Sequence, residues 1–252
     1  DSSRPLSRKT PDCIEYRYRR LSMVLFQYDE KILESFPQTV GGIIIGSGLQ
    51  NSVTSDALRE IYQQRQTKIR EKIGDTPLSA IVALSAWRRV FSSFGVSPTK
   101  YRSAPESLLR RLTKKGTIPF INTLVDIGNL ISITYTMPVA IMDIADMRGG
   151  LRVHFADGTE RYTELNSDDI IHPEPGEVVF TDETGLVFAR RWCWRQSAES
   201  AAHENTQDVI ITIEAQHENG QADVEKSIAE ILPLLKEFAG GTYQSHILDV
   251  NQ

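Results

Sequence analysis

Cysteine is scarce in this 252-residue chain: Cys13 and Cys193 are the only two. That excludes a disulfide scaffold and leaves little room for a cysteine-ligated zinc site. Long apolar runs are missing too. The longest candidate, 118–133, is broken by Asn122, Asp126 and Asn129 and falls short of the roughly 20 apolar residues a membrane helix needs. The basic N-terminus (DSSRPLSRKT) is not followed by an apolar stretch, so it does not read as a secretory signal. These absences fit a cytoplasmic protein without a membrane segment. Histidines 154, 172, 203, 217 and 246 show no H-x-x-x-H spacing, and most lie in hairpin or loop settings that predict solvent-facing rings. No G-x-S-x-G elbow, phosphate-binding Walker loop or zinc deaminase signature occurs. Neither a metal nor an organic cofactor is expected.

Hydrophobic residues at 40% and charged residues at 24% are ordinary for a folded domain. The net charge of −5 hides an asymmetry. Residues 59–115 hold 13 Lys or Arg against 4 Asp or Glu, whereas residues 116–252 hold 8 against 22. A basic segment of this kind can meet a phosphate backbone although the whole chain is acidic, or it can simply solvate outer helix faces. Arg110, Arg111, Lys114 and Lys115 gather most densely and are the candidate RNA contacts.

Element signals run from helix-rich to strand-rich, which predicts a single α+β domain with helices packed on a mixed or antiparallel sheet. Residues 1–22 read as a polar tail, 23–240 as the domain and 241–252 as a C-terminal tail. The run VGGIIIGSG (40–48) is a buried strand bounded by glycines. GSGLQN (46–51), which overlaps its end, fails as a dinucleotide fingerprint because Asn51 replaces the third glycine. Three helices follow. The first is capped near Ser52, Thr54 or Ser55, with Leu58, Ile61, Tyr62, Ile69 and Ile73 inward. The second follows Pro77 and stops at Gly95. The third opens with a capping box, Ser103 to Glu106, and ends at Gly116. Later strands are predicted at 139–142, in a hairpin of 151–155 with 159–165 around Asp157-Gly158, at 177–181 and 186–194 around DETG, and at 208–214. A closing helix spans about 223–238.

Two segments carry candidate chemistry. If IPFINTLVDIGNLISITY (118–135) is helical, Asn122, Asp126 and Asn129 share one face of an otherwise apolar helix, either as structural ties or as a pocket lining. In RRWCWRQ (190–196), a strand would put Arg190, Trp192 and Trp194 on one face and Arg191, Cys193 and Arg195 on the other. Arginines beside tryptophans suit an anionic, planar ligand, or a strand whose arginines pair with nearby acids.

The helix motif, with Arg111-Leu112, Gly116, Ile121-Asn122, Val125-Asp126 and Asn129, followed by Pro138 and Asp143, resembles the editing domain (B-three/B-four domain) of the phenylalanyl-tRNA synthetase beta subunit. GEVVFTDETGLVFA and TQDVIITIEA are similar to its later hairpin and last strand, so the resemblance covers roughly 85–216. It implies a free-standing relative that hydrolyses misacylated aminoacyl-tRNA in trans. Transfer RNA or aminoacyl-tRNA would be the partner, and the oligomeric state is open. Catalytic roles then fall to Glu214 and Asn122, and substrate contacts to Asp126, Asn129, Arg190, Arg191, Trp192, Trp194 and Arg195. Three departures stand out: Ala140 replaces the family's histidine, Gly128 its threonine, and Ala189 to Trp194 its glycine-rich stretch. Either Glu214 or Thr212 takes the place of the family's glutamate. The alternative is a non-catalytic module that binds an amino acid, nucleotide or RNA.

Overall fold

The structure is a computed structural model that describes residues 25–167 and 169–249. The tail expected over 1–22 lies outside the described residues. Strand β2 (Val40–Ser47) and strand β10 (Val209–Ala215) form the centre of an antiparallel four-stranded sheet, flanked by β3 (Val139–Asp143) on β10 and β11 (Thr242–Asp249) on β2. Ile211 faces both Ile44 and Ile141 across this ladder. The observed β11 corrects the expectation of a tail from 241: Tyr243 and Ile247 pack on the core at one face and Leu248 on that at the other, and the strand pairs with β2 from Thr242 to Asp249.

Neighbouring side chains on a strand point to opposite faces, and this sheet uses both. Ile44 and Ile211 join a helical core, whereas Ile43 and Ile210 join an aromatic one. The helical core is built by α2 (Asp56–Ile73), α4 (Ala104–Lys115), α5 (Thr123–Tyr135) and α6 (Gly220–Phe238). Ser55 caps α2 by accepting from Leu58 N, and Gly116 ends α4 in the left-handed region at φ 80°. Two local expectations fail. Ile61 is exposed while Gln66 is buried and exchanges hydrogen bonds with the Ile118 backbone. The capping box does not form: Ser103 makes no side-chain cap, and Glu106 accepts from Arg88 at 2.7 Å.

The aromatic core lies between the central sheet and a second sheet ordered β1 (Phe26–Tyr28), β4 (Leu151–Phe155), β7 (Val178–Thr181), β8 (Val187–Arg190) and β9 (Arg195–Gln196). Trp87 and Phe91 enter it from α3 (Val82–Ser93). The hairpin expected between 151–155 and 159–165 does not form. β4 pairs with β7 and, in parallel, with β1, while β5 (Tyr162–Thr163) pairs with β6 (Ile170–Ile171). Asp157 and Glu160 bind the backbone of 157–159, turning the chain away from β4 before it can fold back.

Candidate functional site

The expected strand 186–194 ends at Arg190. Arg191 and Trp192 follow with positive φ angles of 46° and 58°, forming a tight turn into β9. A left-handed conformation costs a non-glycine residue roughly 1–2 kcal/mol, so two in succession need strong tethers. Arg191 N donates to Glu177 Oε1 at 3.0 Å and Trp192 N donates to Val178 O at 2.7 Å. Trp192 is buried edge-on against Trp87, 5.3 Å between centroids, and Phe36, 5.0 Å.

The turn carries Trp192 to Glu214. Its indole Nε1 donates to Glu214 Oε1 at 2.8 Å, and the Tyr28 hydroxyl donates to the same oxygen at 2.7 Å. Oε2 is left as the second acceptor of the carboxylate. Burial pushes the Glu214 pKa up to about 7 against the pull of its two donors, and burial likewise raises Tyr28. Tyr28 can approach this closely because position 41 on the partner strand is glycine: a Cβ at Gly41 would stand 2.4 Å from the Tyr28 hydroxyl. Thr212 shares the Glu214 face of β10 but lies two residues away, opposite Ala140.

Glu214 borders a cavity of about 410 Å³ that is also lined by Asn129, Ala140, Trp192, Trp194, Arg195 and Gln196. Pocket volumes of this order accommodate small organic ligands. Ala104 at the start of α4 and Leu165 and Asn166 after β5 complete part of its rim. Gln196 donates to Ile141 O at 2.9 Å and so fixes the wall beside β3. Gly128 sits behind that wall, where a Cβ would meet Ile141 Cδ1 at 3.0 Å, so α5 can lie close on β3. A smaller cavity of about 160 Å³ between α2 and α5 has Lys72 as its one charged lining residue. It lacks the convergence of acid, cation and aromatic groups found around Glu214.

The structure separates the residues that the sequence grouped. Asn122 is the N-cap of α5: its Oδ1 accepts from Val125 N at 3.0 Å and its Nδ2 donates to Ala202 O at 2.9 Å. Asp126 accepts from the Thr54 hydroxyl at 2.5 Å and from Ile121 N at 3.0 Å, and its burial pushes its pKa up. Both are structural ties away from the cavity lining, which corrects the catalytic role expected of Asn122 and the substrate contact expected of Asp126. Asn129 alone of the three borders the cavity.

Arg190 also proves structural. It makes a buried two-point ion pair with Glu177, 2.8 and 2.9 Å. Arg191 pairs with Glu177 at 3.5 Å and lies 3.8 Å over the Tyr101 ring. Arg195 and Trp194 do line the cavity, with Arg195 paired to Glu164 and 4.7 Å over the Trp194 ring. Arg110, Arg111, Lys114 and Lys115 are exposed along the last turns of α4. At 1.5 Å per residue they stand roughly 9–16 Å along the helix axis from Ala104 at the cavity rim. Sequence reasoning missed Tyr28 and Tyr101, which come from distant segments and carry no local motif, and it gave no role to Gln196 at the end of the Arg/Trp segment. It also misjudged the histidines: His217 is buried and His154 half-buried, held to Asp223 and Thr181. Among the described residues no group of three or more His, Cys, Asp and Glu could hold a metal ion.

The pattern of the B3/4 domain family matches residues 86–228, more than half of the chain. This chain belongs to the B3/4 domain family. The matched stretch contains α4, α5, β3, the Arg/Trp turn and Glu214, so every residue lining the cavity falls within it. Tyr28, the second donor to Glu214, comes from outside. The phenylalanine–tRNA ligase beta subunit of Cereibacter sphaeroides is 32% identical over 94 residues, 37% of this chain and 11% of that one. The corresponding subunit of Shewanella oneidensis is 26% identical over 109 residues, 43% of this chain and 13% of that one. The matched stretch thus spans a small part of these ligase subunits. An N-terminal fragment of the phenylalanyl-tRNA synthetase beta subunit from Pyrococcus horikoshii aligns over 87% of this chain and 50% of that chain, at 14% identity and a TM-score of 0.44.

Proposed function

We propose that this B3/4 domain acts in trans as an editing-type domain that hydrolyses the ester of a misacylated tRNA. The carrying observation is Glu214, a buried carboxylate with one oxygen fixed by Trp192 and Tyr28, bordering a cavity of about 410 Å³ within the family match. Ionised, it offers the one full negative charge among the cavity-lining side chains, suited to the ammonium of an aminoacyl group. Arg195 brings a cation to the same cavity for an anionic part of the ligand, and Asn129 adds an uncharged hydrogen-bonding group.

The lining holds no histidine, serine or lysine, and Ala140 stands where the editing domains it resembles keep a histidine. In this reading the protein orients the ester and the substrate relays the proton. A water oxygen bonds to the ester carbonyl carbon, the bond from that carbon to the ribose oxygen breaks, and the ribose oxygen leaves carrying a proton. Glu214 positions the amino group rather than acting as the base. The same absence of histidine, serine and lysine favours a second reading, a non-catalytic module that holds an amino acid or aminoacyl end.

Incubation with a panel of mischarged tRNAs, scored for free amino acid against spontaneous hydrolysis, separates the two. Release from at least one aminoacyl-tRNA, slowed at least tenfold by Glu214→Gln, is expected. Binding of aminoacyl-tRNA with release no faster than in buffer would leave the module.

A further inference from the structure

The cavity rim continues into a cationic and aromatic track that the α4 cluster does not touch. Trp194, on the rim, meets the Tyr101 ring edge-on at 5.0 Å, and the Arg191 guanidinium lies over both rings at 4.6 and 3.8 Å. Lys100 is exposed beside Tyr101, 5.0 Å from its ring centroid. Arg102 and Arg88 both reach Glu106 Oε1, at 3.7 and 2.7 Å. Arg88 then opens onto a shallow groove on α3 formed with Arg89, Ser85, Ser92 and Ser93. From Arg195 to Arg89 the track carries seven cations, counting Arg190, and their ion-pair partners are three carboxylates, Glu164, Glu177 and Glu106. Arg89 and Lys100 have no carboxylate partner among the described residues; Arg89 donates to Ser85 Oγ at 3.0 Å.

We propose that this track is the seat of single-stranded RNA leaving the cavity. Bases would pack against Trp194 and Tyr101, and phosphates would be met by Lys100, Arg102 and the Arg/Ser groove. Alternation of rings and cations is what a flexible polyanion with planar bases requires, since stacking tolerates any base while the cations follow the backbone. The Arg110 to Lys115 cluster offers cations without an exposed ring and begins farther from the rim. RNA contact therefore falls to the 88–102 face instead. It rests on the editing-type reading but is tested by binding alone, without turnover.

The probe is a short fluorescein-labelled single-stranded RNA, titrated by anisotropy at several salt concentrations. The double variant Arg89→Gln/Lys100→Gln breaks no ion pair and should fold normally, which its melting temperature checks. Its affinity should fall about tenfold at low salt, and its log–log salt slope should flatten by about 1.4, two single-strand phosphates at roughly 0.7 each. Tyr101→Leu should weaken binding while leaving the slope unchanged. Replacing Arg110, Arg111, Lys114 and Lys115 with Gln together should leave the slope nearly intact. If the quadruple variant flattens the slope and the double variant does not, the track is refuted while RNA binding stands. Equal affinity for heparin, with the same loss in the double variant, would reduce the track to a nonspecific anion surface. Absence of RNA binding by the unaltered chain at low salt would overturn the track and the RNA-linked function together.

Discussion

Glu214 is held between two opposing effects. Burial disfavours its charged form, while the Trp192 indole and the Tyr28 hydroxyl favour it, and burial prevails to give a pKa of about 7. The folded value lies above the ordinary 4.5, so between those two pH values the folded chain binds a proton that the unfolded chain has lost. Stability therefore falls as pH rises from about 4.5 to about 7 and is constant above, with a total loss of roughly 3 kcal/mol from this group. Glu214→Gln keeps an oxygen acceptor for both donors and never ionises. It should be the more stable protein at pH 8 and about equal at pH 4.5, read from urea midpoints at each pH. Parallel pH profiles for both proteins would show that the carboxylate is already solvated or paired. Binding of a cationic amine should move the opposite way and be lost in the variant. The acidic residue on the last matched strand was legible from the family's hairpin and strand motifs. Its partners were not: Tyr28 lies 186 positions away and is admitted only because Gly41 has no side chain.

At the scale of elements, period and punctuation disclosed most of what local physics decides. The β-branched runs at 40–47 and 209–215 are the two central strands, and the glycines at 95 and 116 end α3 and α4. Long-range pairing decided the rest. Nothing in 151–163 announces that β4 prefers β7 and β1 over its sequence neighbour. The Arg/Trp segment was the most consequential misreading. Alternation along a strand would have spread its side chains over two faces, but the left-handed pair Arg191–Trp192 sends Trp192 into the core and leaves Arg190 with Glu177. That geometry separates the arginines by role. Arg190→Met takes the two-point partner from the buried Glu177, leaves it only the longer Arg191 pair and loosens the turn, and should cost up to about 3–5 kcal/mol of stability, the range for breaking a buried ion pair. Arg195→Met removes a half-exposed partner of Glu164 and should cost under about 1 kcal/mol while weakening any anionic ligand of the cavity. Melting temperature and ligand titration on the two variants settle this. Equal, small stability losses would mean that Glu177 relaxes to solvent, and that Arg190 is as free to meet a ligand as Arg195.

For the molecule as a whole, the central sheet divides two cores of different character, aliphatic on the side of α5 and α6 and aromatic on the side of Trp87 and Trp192. The cavity opens against the aromatic one, where rings supply both walls and hydrogen-bond donors. β2 sits inside this sheet only because β11 covers its outer edge, and five of its eight residues are buried. Its sequence, VGGIIIGS, has no charge or proline to protect an exposed edge. Truncation after Gly241 would remove the β11 ladder, uncover unpaired β2 backbone and strip Tyr243 and Ile247 from the helical core. The chain ending at 241 should melt well below the 252-residue chain and elute from size exclusion as concentration-dependent oligomers, since a flat apolar edge recruits another strand. A lysine placed at Ile44, which points into the helical core, would destroy the core and prove nothing about the edge. The informative control is Ser47→Pro in the truncated chain, because Ser47 is exposed at the end of β2 and proline there blocks strand addition. Recovery of monomer by Ser47→Pro without recovery of melting temperature would assign aggregation to the open edge and the stability loss to the missing packing. A truncated chain that stays monomeric and melts like the full one would make β11 dispensable and return the C-terminal stretch to the role of a tail.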